Sequence, residues 1–194
     1  MATLEFFYDF VSPYSYLAST RVEAMAARTG ATIRWRPFLL GGVFKATGNR
    51  APIEIPAKGV HMLLDLGRWS KRLGVPLHFP ASFPFSSMLA LRAAFAAEAA
   101  GKLVPYTHAV YKAAWADGRD VASAEGLTAV LDEAGLDGAA LVAAAPQYKE
   151  ALIKQTQELV DRGGFGGPAL FVGEELFVGN DRLEFVEEAL KAAG

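Results

Sequence analysis

Two hydroxyls stand three residues apart in Ser12-Pro13-Tyr14-Ser15, between an apolar run and a helix-like pattern. With cysteine at both ends the stretch would be C-x-x-C, the spacing of a disulfide-exchange site. The chain has no cysteine, which removes disulfides, thiolate metal sites and a sulfur nucleophile belonging to the protein. At Ser12 there remains a helix start, where free N–H groups and the helix dipole favour an anion by about 0.3–1 kcal/mol. A serine hydroxyl can donate a hydrogen bond to such an anion. Plain capping by Ser12, with Pro13 opening the helix, accounts for the same residues, and the stretch alone leaves both roles open.

Two other segments have residue types suited to binding. In FGGPALFV, residues 165–172, Pro168 immediately precedes a strand pattern. In VGNDRL, residues 178–183, Asn180 and Asp181 open the last helix, where backbone N–H groups can hold a carboxylate. The element order favours a cis-proline at Pro168 facing the start of the first helix; an ordinary trans-proline on an edge strand, and simple capping by Asn180 and Asp181, are the alternatives. Asp181 and Glu184 have capping-box spacing, and Asn180 is the other candidate cap. His61, His78 and His108 show no ligand spacing, so no metal site is expected. There is no G-x-S-x-G, P-loop or G-x-G-x-x-G motif, and the glycines of GGFGG follow a helix instead of a strand.

The elements that must position these residues follow from periodicity. TLEFFY (3–8) reads as a buried strand, and 15–29 as a helix with Leu17, Val22, Met25 and Ala26 apolar and Gly30 as its stop. TIRWRPF (32–38) alternates as a second strand, so the start is a βαβ unit with a parallel pair. LLGGVFKATGN reads as a glycine-rich loop. Residues 58–162 are almost wholly helical: a stripe of Leu63, Leu66, Trp69 and Leu73, then helices at 87–100, 104–115, 123–134, 137–144 and 147–162, with Ser123 and Asp137 as N-caps. ALFV (169–172) and ELFV (175–178) flank Gly173-Glu174 as a hairpin, and the last helix aligns Leu183, Val186 and Leu190. The order βαβ, helices, ββα is that of an α/β thioredoxin fold. Its halves, 1–57 and 163–194, are separated by an all-helical insertion at 58–162, and the whole packs as one unit.

Composition excludes several classes. At 52% hydrophobic and 21% charged residues over 194 positions, the chain can bury a sizeable core. Its net charge of −2 and scattered basic residues give no reason to expect nucleic acid. No apolar run reaches the roughly 18 residues of a membrane span, and the first residues lack signal-peptide features. These readings point to a cytoplasmic protein.

FYDFVSPYSYLA, RPFLLGGVFKATGN, GVPLHFPASFP and FGGPALFVGEELFVGNDRLEFV together resemble the 2-hydroxychromene-2-carboxylate isomerases and their kappa-class glutathione transferase relatives, in order and over nearly the whole chain. The resemblance implies a homodimer that binds glutathione, so that the sulfur missing from the motif arrives with the cofactor. Ser12 then matches the serine that contacts the glutathione sulfur, and Asn49 a residue contacting the tripeptide. Gly167 and Pro168 match the segment whose backbone pairs with the cysteinyl unit. Asn180 and Asp181, with Arg182 and Leu183 adjoining, match the end that holds the γ-glutamyl group, and Phe44 and Phe83 match lining of the aromatic-substrate pocket. Relatives have a larger aliphatic residue before the proline, so Gly167 implies a roomier pocket. The implied reaction interconverts 2-hydroxychromene-2-carboxylate and trans-o-hydroxybenzylidenepyruvate, within the catabolism of naphthalene-type aromatic hydrocarbons. Conjugation of glutathione to small electrophiles, and a non-catalytic thioredoxin-like binding module, are the alternative functions.

Overall fold

A computed structural model describes all 194 residues. Strand β1 (Thr3–Tyr8) pairs in parallel with β2 (Thr32–Pro37), in a register running from Thr3 opposite Thr32 to Tyr8 opposite Pro37. On its other side β1 pairs antiparallel with β3 (Ala169–Val172), which continues through the Gly173-Glu174 turn into β4 (Glu175–Val178). The sheet order is therefore β2-β1-β3-β4, with chain segments about 165 residues apart brought side by side at its centre.

Alternation along β1 builds two cores. Leu4, Phe6 and Tyr8 join the larger one, with Leu17, Val22 and Met25 of α1 (Pro13–Thr29) and Leu183, Val186 and Leu190 of a later C-terminal helix. Phe7 faces the opposite side with Phe38, Val43, Leu159, Ala169 and Phe171. Helix α1 begins with Pro13 at its first position and ends where Gly30 takes φ +67° and donates its N–H to the Ala26 carbonyl.

The segment 40–47, expected as loop, is the helix α2 (Leu40–Thr47), closed by Gly48 at φ +72°. Its Ncap residue Leu39 has no polar side chain, and Gly41-Gly42 carry poor helix propensity, so nothing local marks it as a helix. It forms because Val43 is buried against the second core, and because its first N–H finds a partner far away in sequence. Helix α3 (Pro56–Leu73) packs by Leu66, Trp69 and Leu73 of the expected stripe, with Gly59 and Met62 buried beside them, while Leu63 is 46% exposed.

Helices α4 (Met88–Ala99), α5 (Leu103–Tyr111), α6 (Ala124–Glu133), α7 (Gly138–Ala144) and α8 (Lys149–Asp161) complete the insertion, and α9 (Leu183–Ala193) closes the chain. Alanine lines the buried sides of α4 (Ala90, Ala93, Ala94, Ala96 and Ala97), which lets neighbouring helices approach closely. Ser123 and Asp137 cap α6 and α7, accepting from Gly126 N–H and Ala140 N–H. After α5 one π turn spans Lys112–Ala116 and carries Trp115, fully buried, whose indole N–H donates to the Phe10 carbonyl at 2.8 Å. The Tyr8 hydroxyl is bonded to Thr107 at 2.8 Å, and the Tyr111 hydroxyl donates to the Asp9 carbonyl at 3.1 Å. The insertion thus grips the residues between β1 and α1 through buried polar bonds as well as packing. Trp115→Phe leaves the Phe10 carbonyl without its donor, and is expected to cost about 1–3 kcal/mol in urea unfolding with an unchanged m value.

Candidate active site at the start of α1

Ser12 is the Ncap of α1 and is 4% exposed. Its Oγ accepts the Ser15 N–H at 3.1 Å and donates to the Gly167 carbonyl at 3.2 Å. Both roles open to Ser12 therefore meet in one group: a lone pair caps the helix, while the hydroxyl hydrogen points across to the loop before β3. The Gly167–Pro168 peptide bond is cis, as is Phe83–Pro84. Ser15, one turn on, is fully buried, and its Oγ has no hydrogen-bond partner.

Asn49, exposed after α2, donates its side-chain N–H to the Phe165 carbonyl at 2.8 Å. That bond ties the α2 exit to the same loop that ends in Gly167. Asn180 is 2% exposed; its carbonyl accepts from Arg21 of α1 at 3.1 Å, and its side-chain nitrogen has no partner. Asp181 and Arg182 are exposed and paired with each other at 3.4 Å, whereas Leu183 is in the core. Neither Asn180 nor Asp181 caps α9 through its side chain, contrary to the capping reading. Gly179, at φ +112°, turns the chain early, so Asn180–Arg182 already form a 3₁₀ turn instead of preceding the helix. Phe83 packs on Phe79 at 5.2 Å and Trp115 at 5.6 Å between ring centroids. Phe44 is half-buried on α2 and makes no ring contact with Phe83. Ser12, Gly167, Pro168 and, through the loop, Asn49 are thus assembled directly; the two phenylalanines are not.

Gly167 does not open the space expected of it. A Cβ there would lie 2.9 Å from Phe38 Cζ and 3.5 Å from Ser15 Oγ. The fully buried Phe38 ring, edge-on to Phe7, fills the volume that a larger residue at 167 would occupy. A side chain at 167 would have to displace that ring.

Two residues beside the site escaped the sequence reading. Tyr14, whose hydroxyl donates to Asp65 at 3.0 Å, lines a cavity of about 360 Å³ with Pro52, Ala57, Lys58, His61 and Met62 beside the first turn of α1. Burial raises the pKa of the Tyr14 hydroxyl, and its bond to Asp65 raises it further, so it stays a proton donor. Asp9 is the other: an acid inside the apolar run FFYDF, wholly buried, with its pKa pushed up to about 6 by desolvation. An acidic residue at the buried end of a strand pattern was the available signal.

Fold and site together define a thioredoxin-like protein of the DsbA kind, and a DSBA-like thioredoxin domain model matches residues 3–191. Within that class the chain belongs to the 2-hydroxychromene-2-carboxylate isomerase family. It is 36% identical to the 2-hydroxychromene-2-carboxylate isomerase of Sphingobium xenophagum over 97% of both chains. It is 28% identical to human glutathione S-transferase kappa 1, over 97% of this chain and 90% of that one. A solved structure of a 2-hydroxychromene-2-carboxylate isomerase superposes with a TM-score of 0.89 at 30% identity, covering 98% of this chain and 95% of the other.

Two measurements test this geometry. Gly167→Ala is expected to lower the thermal midpoint by several degrees, and adding Phe38→Leu to recover part of it, because the second change vacates the space the first needs. Asp9 has a folded pKa of about 6 against an ordinary 3.8, so it stabilises the fold fully below pH 3.8 and that contribution is lost as pH rises through 6. Wild type is therefore expected to lose roughly 2–3 kcal/mol relative to Asp9→Asn between pH 4 and pH 8, read by denaturation at each pH.

Proposed function

We propose that this protein is a glutathione-dependent 2-hydroxychromene-2-carboxylate isomerase, with Ser12 as the catalytic hydrogen-bond donor. The observation that carries the reading is the Ser12 hydroxyl, held by the Ser15 N–H at a helix start and aimed at the loop of the cis-proline. The residues present fit glutathione. The Gly167 N–H has no backbone partner and can pair with an extended peptide, and the buried Asn180 side-chain N–H is unsatisfied before the last helix. Asn49, Asp181, Arg182 and the backbone of Leu183 are assigned to the remainder of the tripeptide, and Phe44 and Phe83 to the aromatic substrate. The family and the kappa-class relative, whose name specifies glutathione, support the cofactor.

When bound, glutathione supplies a thiolate that adds reversibly to the ring-opened conjugated substrate and so frees a double bond to rotate. The protein's part is to keep that sulfur ionised and in place. A free thiol near pKa 8.5 needs roughly 2.7 kcal/mol of preference for its anion to titrate two units lower. The α1 N-terminus offers about 0.3–1 kcal/mol and a charge-assisted bond from Ser12 about 1.5–3 kcal/mol, which together reach that figure. Ser12 releases Gly167 O to make that bond while the Ser15 N–H continues to hold its oxygen. A serine stabilises a sulfur anion and cannot itself enter thiol–disulfide exchange, whereas a cysteine at this position would form a mixed disulfide with oxidised glutathione, releasing one glutathione thiolate.

A homodimer is part of the same reading, as is a cytoplasmic setting where glutathione is abundant; no helix is long and apolar enough to cross a membrane. Millimolar glutathione is expected to raise the melting temperature, because saturation at about 100 times Kd adds roughly 2.7 kcal/mol. Absorbance of the chromene carboxylate should change only when glutathione is present and catalytic in amount. Stoichiometric consumption of glutathione would favour a conjugating transferase, and no thermal shift a binding module. Ser12→Ala is expected to fold, with about 1 kcal/mol lost with its cap, and to reduce kcat about 10- to 150-fold; unchanged turnover would remove Ser12 from the mechanism.

A further inference from the structure

Asp9 has no solvent exposure, and no arginine, lysine or histidine is bonded to its carboxylate. The groups that do face it come from four places in the chain. Oδ1 accepts the Val11 N–H at 3.1 Å, and Oδ2 accepts the Leu40 N–H at 2.7 Å. The Ser87 hydroxyl, just before α4, faces the same carboxylate without closing a full hydrogen bond, and favours its ionised form. Tyr111 of α5 is the titratable group turned toward it, and its hydroxyl donates to the Asp9 backbone carbonyl. A buried carboxylate with no cation beside it is costly when ionised, and a neutral acceptor of similar size would carry less of that cost.

What the carboxylate provides is acceptance of an N–H on each of its oxygens. Leu40 is the first residue of α2, and Leu39 before it cannot cap that helix. Asp9 therefore acts as the cap from 31 residues upstream, and it lies three residues before Ser12. Helix α2 carries Phe44 and delivers Asn49 to the Phe165 carbonyl. An asparagine side chain keeps one acceptor oxygen, and its NH₂ would face an N–H donor on the other side.

We propose that Asp9 is a positioning residue that locks the first turn of α2 to the β1–α1 junction, and thereby sets Phe44 and Asn49 relative to Ser12. Protonation of Asp9 releases one of its two N–H donors, so the lock loosens on acidification. The catalytic consequence rests on the isomerase reading above; the lock itself does not.

The test pairs a readout independent of activity with one that depends on it. In ¹⁵N-labelled wild type, the Leu40 and Val11 amide signals are expected to titrate together near pH 6, and to be flat in Asp9→Asn. In that variant at pH 8, exchange of the Leu40–Thr47 amides should accelerate at least 10-fold while the thermal midpoint does not fall. A merely structural role predicts the opposite change in midpoint. Steady-state kinetics of Asp9→Asn should show KM for glutathione or chromene carboxylate raised at least 5-fold, with kcat reduced less than in Ser12→Ala, and no acid limb near pH 6. Flat Leu40 and Val11 signals between pH 5 and 8 in wild type, or unchanged α2 exchange in the variant, overturn the lock; the wild-type titration decides the question even if Asp9→Asn fails to fold. If the lock is seen but wild type neither binds glutathione nor isomerises the substrate, the functional reading fails and the role of Asp9 stands.

Discussion

The turn from Asp9 to Ser12 is buried, and its polar groups cannot turn to water. Each must be bonded inside the protein or leave a desolvation cost of about 1–3 kcal/mol. The Asp9 carboxylate takes N–H groups from Val11 and Leu40, the Asp9 carbonyl takes the Tyr111 hydroxyl, the Phe10 carbonyl takes the Trp115 indole, and the Ser12 hydroxyl reaches the Gly167 carbonyl. Partners from α2, from the insertion and from the loop before β3 therefore converge on four residues. Satisfying that turn brings three distant parts of the chain to one place, which is where the site lies.

Within that arrangement, volume is allotted as tightly as polarity. Phe38 leaves β2 and sets its ring edge where a side chain at 167 would be, so the loop backbone lies within reach of Ser12. Farther along the same face of β1 a different solution appears: Glu5 accepts from Arg36 at 3.1 Å and Arg162 at 2.9 Å, and Arg36 also pairs with Glu158. The two guanidinium groups cover Phe7, and Arg162 lies over Phe171 at 3.7 Å. Charged side chains thus seal the smaller core on the side away from Ser12.

Much of this was legible in the residues. The strands, α1, α4, α6, α7, α8 and α9 follow from periodicity and from local signals such as Gly30, Ser123 and Asp137, whose partners lie within a few positions. Helix α2 was not legible, because its cap is a carboxylate in another element and its own residues include two glycines. On α3 only Leu63 was misplaced, since Leu63 and Met62 are both apolar and only packing chooses between them. Asn180 and Asp181 look like caps in sequence, yet the glycine before them turns the chain a residue too soon.

The sequence by itself determined the absence of a protein sulfur, the order βαβ–helices–ββα, and a hydroxyl at the helix start, because these depend on composition and on contacts between near neighbours. Tertiary structure alone decided that the Ser12 hydroxyl meets the carbonyl of Gly167, that Phe38 occupies the space a side chain there would need, and that Asp9 caps a helix across 31 residues. Such pairings are set by which polar groups lose water together when the chain closes, and no local pattern of residue types records that.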